Sequence, residues 1–268
     1  MYDLPTILTA FGLTFFAGLA TGIGGLIAVA KNNPGKRFMA GALGFSTGVM
    51  LYVSFMEILP KAFEELEEAW GQRPGAWAAV AAFFAGIAVI ALIDRLVPEP
   101  INPHERGIGE DPQKAAQRRR MMKMGMFTAG AIAIHNFPEG FATFIAGLED
   151  LTIAIPVAVA IAIHNIPEGV AVAVPIRQAT GSRRKALRWA TLSGMAEPAG
   201  ALIGFALLMP FMGPATLGLA FAAIAGIMVF ICLDELLPTA VATGRHHTAI
   251  YGVILGMAVM AASLLLMM

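Results

Sequence analysis

The feature that most constrains this chain is a succession of apolar stretches, each close to the roughly 20 residues a helix needs to cross about 30 Å of hydrocarbon. Eight such windows run over residues 5 to 30, 38 to 60, 75 to 95, 124 to 147, 151 to 176, 186 to 209, 214 to 237 and 248 to 267. Too little polar sequence separates them to clothe a soluble globule: 13% of residues are charged and 57% hydrophobic, against about 25% charged in ordinary soluble domains. A backbone in lipid must satisfy its own polar groups, so stretches of this length are helices. The prediction is an all-α multi-span membrane protein with eight transmembrane helices in one domain over 1–268. The first window starts at Pro5 with no basic segment before it and no small-residue cleavage site after it, and reads as a retained span.

The basic residues fix an orientation, because cytoplasmic loops collect Lys and Arg. Sixteen of the eighteen fall in the loops after the first, third, fifth and seventh windows, leaving only Lys61 and Arg73 on the other side. Both termini are therefore expected outside the cytoplasm, in a cytoplasmic (inner) membrane. The longest loop, about 96–123, mixes Pro98, Pro100, Pro103 and Pro112 with charges of both signs and reads as a mobile connector. Its Arg118–Arg120 triplet reads as an orientation signal, with anionic lipid headgroups the other reading. Glu64, Glu65, Glu67 and Glu68 follow the second window as a solvated helix end or a weak cation vestibule. A net charge of +0 gives no basic face for nucleic acid, and one cysteine, Cys232, cannot form an internal disulfide. Cys232 reads as packing, the methionines as filler, and His246 and His247 take no role.

Residues 133–142 read AIHNFPEGFA and residues 162–171 read AIHNIPEGVA, eight identities in ten at a displacement of 29. The two copies lie on consecutive spans, which must run in opposite directions. The same chemistry is thus presented twice about a pseudo-twofold axis in the membrane plane. GVMLYVSFMEILP at 48–60 similarly resembles GIMVFICLDELLP at 226–238, on spans two and seven. Three-span inverted repeats flanking a central pair of helices, a 3+2+3 arrangement, generate both matches. Such symmetry is a transporter design.

On a helix, His135, Asn136 and Glu139 project from one face, as do His164, Asn165 and Glu168. A buried carboxylate costs roughly 2.5 to 3.5 kcal/mol on insertion scales, and two repel each other. A dication reverses that sign. Pro138 and Pro167 remove backbone donors and free the carbonyls of Ile134 and Ile163, while Gly140 and Gly169 permit close approach. The plain alternative is a proline kink whose His and Glu satisfy each other. Glu197, next to Pro198 on span six, is a third intramembrane carboxylate and an expected additional ligand. Glu57, Asp234 and Glu235 sit near span ends as interfacial acids or as entry and exit waypoints. Gly18 with Gly22, Gly44 with Gly48, Gly200 with Gly204 and Gly252 with Gly256 mark close helix packing.

With HNFPEG at 135–140, HNIPEG at 164–169 and AEP at 196–198, the whole chain resembles the ZIP (Zrt/Irt-like) metal transporter family, in particular its bacterial members. The resemblance implies a 3+2+3 helix arrangement and two metals side by side between helices four and five. It implies that His135, Glu139, His164 and Glu168 form one site, that Asn136, Glu139, Asn165, Glu168 and Glu197 form a more oxygen-rich second one, and that both glutamates bridge. Imidazole with carboxylate suits zinc independently of the resemblance, and the oxygen donors suit harder ions such as iron(II) or manganese. Many eukaryotic relatives carry a histidine-rich loop between spans three and four, where this chain has only His104.

The expected function is uptake of divalent transition metals by alternating access at a midplane site, zinc above all, with iron(II), manganese and cobalt as further substrates. The metals are cargo, and no prosthetic group is expected. Membrane lipids are partners and a homodimer is allowed. No GxxxxGK[ST] loop is present to power transport with ATP. A channel-like conductor is the alternative reading. A membrane di-metal oxidase would use ExxH where this chain has HxxxE, and a zinc protease would want HExxH where Asn136 and Asn165 stand beside the histidines. The chain is thus not expected to be an enzyme.

Overall fold

A computed structural model describes residues 3–30, 35–96, 112–149, 151–208 and 213–265. Every regular element among them is helical. The helices form eight rods: α1 (Leu4–Ala30), α2 (Lys36–Trp70), α3 (Gln72–Leu96), α4 (Pro112–Glu149), α5 (Leu151–Thr180), α6 (183–208), α7 (Pro214–Ala242) and α8 (His246–Leu265). By length and composition α1, α2, α3, α7 and α8 can each cross a bilayer.

Local sequence explains where the rods stop. Gly71, Gly181 and Gly244 follow α2, α5 and α7 with φ of 83°, 66° and 78°, a left-handed turn that only a residue without Cβ makes freely. The Ser182 hydroxyl caps α6 by accepting from the Lys185 N–H at 3.2 Å, and the Asp3 carboxylate accepts from the Thr6 N–H at 3.0 Å at the start of α1.

Two rods overrun the apolar windows. α2 continues to Trp70, so the four glutamates from Glu64 to Glu68 lie on helix rather than in a loop. α4 begins at Pro112, so the second part of the connector expected over 96–123 is instead helical, including Arg118–Arg120. Both extensions are rich in Ala, Glu, Gln, Lys and Arg, which favour helix in water as well as in lipid. The rest of that connector, with Pro98, Pro100, Pro103, His104 and Arg106, lies outside the described residues, as does Lys31.

Each of α2 and α7 contains one wide π-helical turn, Ser54–Ile58 and Ile231–Leu236. Pro60 and Pro238 explain them. A proline ring collides with the carbonyl four residues back, and opening the helix by one residue there relieves the collision. α4 and α5 remain regular α-helix through Pro138 and Pro167.

Packing sorts the rods into two groups, one of α1, α4, α5 and α6 and one of α2, α3, α7 and α8. Inside each group, backbone meets backbone at glycine. A Cβ on Gly169 would lie 1.8 Å from the Thr21 carbonyl oxygen and one on Gly24 1.9 Å from that of Ile166, at the crossing of α1 and α5. Gly200 against Phe137 (1.9 Å) and Gly140 against Glu197 (2.1 Å) do the same for α6 and α4. Gly48 against Val253 (2.0 Å) joins α2 to α8, and Gly86 against Ala223 (2.0 Å) joins α3 to α7. Every described glycine whose Cβ would come within 3.0 Å of a neighbour meets a helix of its own group. Of the glycine pairs singled out by their spacing, Gly44 with Gly48, Gly200 with Gly204 and Gly252 with Gly256 lie at these crossings, while Gly18 with Gly22 lies where α1 meets α6. Between the groups the main contact is α2 on α5, where the buried Ser46 hydroxyl donates to the Pro167 carbonyl at 2.8 Å.

Large apolar side chains cover the outside. Trp77, Phe84 and Leu92 on α3 and Tyr251, Ile254 and Leu255 on α8 are each more than half exposed, a surface that hydrocarbon solvates and water does not.

Candidate metal centre

α4 and α5 pack against each other inside the first group, and they run antiparallel, since residue 135 faces 168 and residue 139 faces 164. The two copies of the motif therefore face each other head to tail, which sets the histidine of one beside the glutamate of the other. His135 Nε2 lies 3.1 Å from Glu139 Oε2 on its own helix and 3.6 Å from Glu168 Oε1 across the pair. His164 Nε2 lies 3.2 Å from Glu139 Oε1. The two imidazole rings are 6.2 Å apart between centres. One ligand atom each from His135, His164 and Glu168 fall within 4.8 Å of one another.

All of these groups but Glu139, whose side chain is 14% exposed, are buried. His135 is 4% exposed, His164 1% and Glu168 0%, and Asn136, Asn165 and Glu197 are fully buried. Close approach does not mean satisfaction. His135 Nε2, His164 Nε2, Glu139 Oε2, both oxygens of Glu168, Glu197 Oε2 and the Oδ1 atoms of both asparagines make no directed hydrogen bond. Buried polar atoms in a native interior are paired as a rule. So many unpaired acceptors and imidazole nitrogens converging at one point form the kind of donor set that could hold a cation. Their spacing fits one: with Zn–N and Zn–O near 2.0–2.2 Å, ligand atoms around a tetrahedral ion stand about 3.3 Å apart, close to the 3.1–3.6 Å between these nitrogens and oxygens.

The two asparagines have an anchoring role that the sequence does not reveal. Asn165 Nδ2 donates to the Ala17 carbonyl on α1 at 2.9 Å and also to Glu197 Oε1. Asn136 Nδ2 donates to the Ser193 carbonyl on α6 at 3.5 Å. Each amide nitrogen is thus tied to a neighbouring helix while its oxygen is buried without a hydrogen-bond partner. Glu197 joins the cluster through Asn165, and Ser46 reaches the motif backbone at Pro167. Ala17, Ser193 and Ser46 carry no motif of their own. The one signal that could have pointed to the first two is the spacing shared by Thr21 with Gly24 and by Glu197 with Gly200, which makes α1 and α6 equivalent partners of the central pair.

The remaining acids lie apart from the cluster. Glu57, on the wide turn of α2, accepts from the Lys61 ammonium at 3.1 Å with one oxygen and leaves the other buried without a partner. Glu235 is 8% exposed on the wide turn of α7, and Asp234 beside it is exposed.

Comparison with known proteins agrees with this chemistry. The family model described as "ZIP Zinc transporter" matches residues 98–264. A protein of Corynebacterium efficiens named "Zinc transporter ZupT" is 71% identical over 98% of this chain and 99% of its own length. Proteins of the same name from Corynebacterium glutamicum (72% identical, covering 97% of this chain and 99% of the relative) and Streptococcus mutans (58%, covering 97% and 98%) are similar from end to end.

Proposed function

The chain belongs to the ZIP zinc transporter family, and from that premise we propose that it takes up zinc by exposing the site between α4 and α5 alternately to the two sides of a membrane. The observation that carries this is the convergence of two histidines and two glutamates in which His135 Nε2, His164 Nε2, Glu139 Oε2 and both oxygens of Glu168 lack hydrogen-bond partners. His135, Glu139, His164 and Glu168 hold the ion, while Asn136, Asn165 and Glu197 supply neutral and anionic oxygens for a second position that also admits iron(II), manganese or cobalt. The protein is a transporter and not an enzyme.

The whole chain acts as one transmembrane domain of eight spans, with repeats α1–α3 and α6–α8 inverted about the central pair α4 and α5. Packing supports this reading, since α1 meets α5 as α6 meets α4, and α2 meets α8 as α7 meets α3. The glycine crossings support two stiff bodies sliding past each other, the site travelling with α1, α4, α5 and α6. The end bearing Arg118–Arg120 and Arg183–Lys185 faces the cytoplasm and both termini face away from it, in the inner membrane. The exposed faces of α3 and α8 contact lipid or a second copy. Glu57 and the Asp234–Glu235 pair mark the way in and the way out.

The test is zinc flux into liposomes containing only this protein, with imposed pH and voltage gradients. Saturable flux that follows the zinc gradient is expected, and none would end the proposal. Because loading requires neutral imidazole and ionised carboxylate, protons compete with the ion. Uptake at fixed zinc falls as the outer pH drops and recovers when it is raised; a rate unchanged or increased by acid contradicts loading at this site. In Glu197→Ala, zinc uptake persists but the competition between iron(II) and zinc shifts. Unchanged competition between the two metals in Glu197→Ala rules out an oxygen-rich second position.

A further inference from the structure

An ion pair crosses from one helix group to the other. Lys123 Nζ on α4 lies 2.7 Å from Asp94 Oδ1 on α3 and also donates to the Asp94 carbonyl at 3.1 Å. Asp94 stands in the last turn of α3, which ends at Leu96. Carbonyls there have no partner within the helix and carry the negative end of its dipole, so a cation is held by both the side chain and the backbone. Lys123 and Asp94 are 21% and 24% exposed, sheltered enough to limit screening by salt.

The surrounding charges continue the pattern. Glu235 on α7 lies within the field of Asp94, Asp234, Lys123 and Arg120. The three carboxylates belong to α3 and α7 and the two cations to α4, so opposite signs face each other across the boundary between the groups. Two neutral contacts cross it at the same end: the Thr239 hydroxyl of α7 meets the Met124 sulfur of α4 at 3.1 Å, and Gln178 of α5 reaches the Met39 sulfur of α2.

We infer that the Lys123–Asp94 pair, backed by Arg120, Asp234 and Glu235, is an electrostatic latch that holds the two helix groups shut at the Arg-rich end and must part before the site opens to that side. This rests on the transport reading above. It assigns to Lys123 a role in the timing of release, distinct from binding.

The experiment uses full-length protein in the Cys232→Ala background with a reporter cysteine in place of Thr128. Thr128 is 0% exposed with an unpartnered hydroxyl, and it lies two helical turns from His135 toward the latch. A membrane-impermeant thiol reagent is applied from the cytoplasmic side and, separately, from the other side. Lys123→Gln raises cytoplasmic labelling by about threefold or more, equivalent to about 0.65 kcal/mol at about 1.4 kcal/mol per tenfold. The exchanged pair, Asp94→Lys with Lys123→Asp, returns it to the parental level. Unchanged labelling in Lys123→Gln, or no recovery in the exchanged pair, overturns the latch. Should the single variant fail to fold, cysteines at positions 94 and 123 bridged by a reducible bifunctional thiol reagent stop zinc uptake until reductant is added; uptake that continues while bridged overturns it equally. Labelling needs no flux. A parent that shows the labelling effect but carries no zinc sinks the transport reading alone, and one that carries zinc without the effect sinks the latch alone.

Discussion

Glu139→Ala and Glu168→Ala each lower zinc uptake by at least about 100-fold at matched expression, more than the roughly 10–100-fold lost when a group that only orients a metal ligand is removed. Glu139 faces both imidazoles, at 3.1 and 3.2 Å, and Glu168 faces His135 at 3.6 Å with neither of its oxygens otherwise engaged. Either truncation takes a negative charge away from the imidazoles of the site. The companion changes Glu139→Gln and Glu168→Gln keep the shape and drop the charge, so they are inactive as well if coordination is the role. Uptake at the parental rate in either alanine variant, measured in liposomes, would show that the glutamates do not hold the ion.

Gly169→Val produces the largest structural effect. A Cβ at that position would lie 1.8 Å from the Thr21 carbonyl oxygen and 2.9 Å from the Gly25 nitrogen, and backbone cannot step aside as a side-chain tip can. Overpacking a tight contact costs about 1–3 kcal/mol, and a clash with backbone belongs at or above the top of that range. The crossing of α1 and α5 must open, which pulls Ala17 from Asn165 and spoils the site. The expected result is a protein with a lowered unfolding temperature in detergent and no detectable uptake. Gly130→Ala is the control on α4: nothing lies within 4 Å of its Cβ, and alanine favours helix by roughly 0.5–1 kcal/mol, so its unfolding temperature holds or rises. Equal behaviour of the two variants would mean that the glycine crossing does not matter.

Much of this molecule is legible in its sequence because the bilayer leaves few options. Length and apolarity mark five of the eight helices as able to cross a bilayer, and the doubled HNxPEG puts the same side chains on one face of each of α4 and α5, which the antiparallel packing then turns toward each other. The ends of the rods are harder to read. Glu64 to Glu68 and Gln113 to Lys123 form helix without being apolar, so hydropathy alone stops too early. The wide turns at Ser54–Ile58 and Ile231–Leu236 leave only the trace of Pro60 and Pro238, and the same residue at 138 and 167 leaves the α-helix intact. A proline states that strain exists but not how the helix absorbs it. Least legible are the backbone carbonyls of Ala17 and Ser193, since a main-chain acceptor has no letter in the sequence. Only the crossing of α1 with α5 and of α6 with α4 brings them to Asn165 and Asn136.

Where main chain rests on main chain, two helices cannot drift by a fraction of a side chain, whereas the α2–α5 boundary is made of side chains that can change rotamer and regain contact. The described residues therefore pack backbone on backbone within each group and side chain on side chain between the groups, at α2–α5 and at the α3–α4 and α7–α4 contacts. On the transport reading proposed above, bilayer thickness or lateral tension would act on the molecule at that side-chain boundary, with no need to soften any single helix.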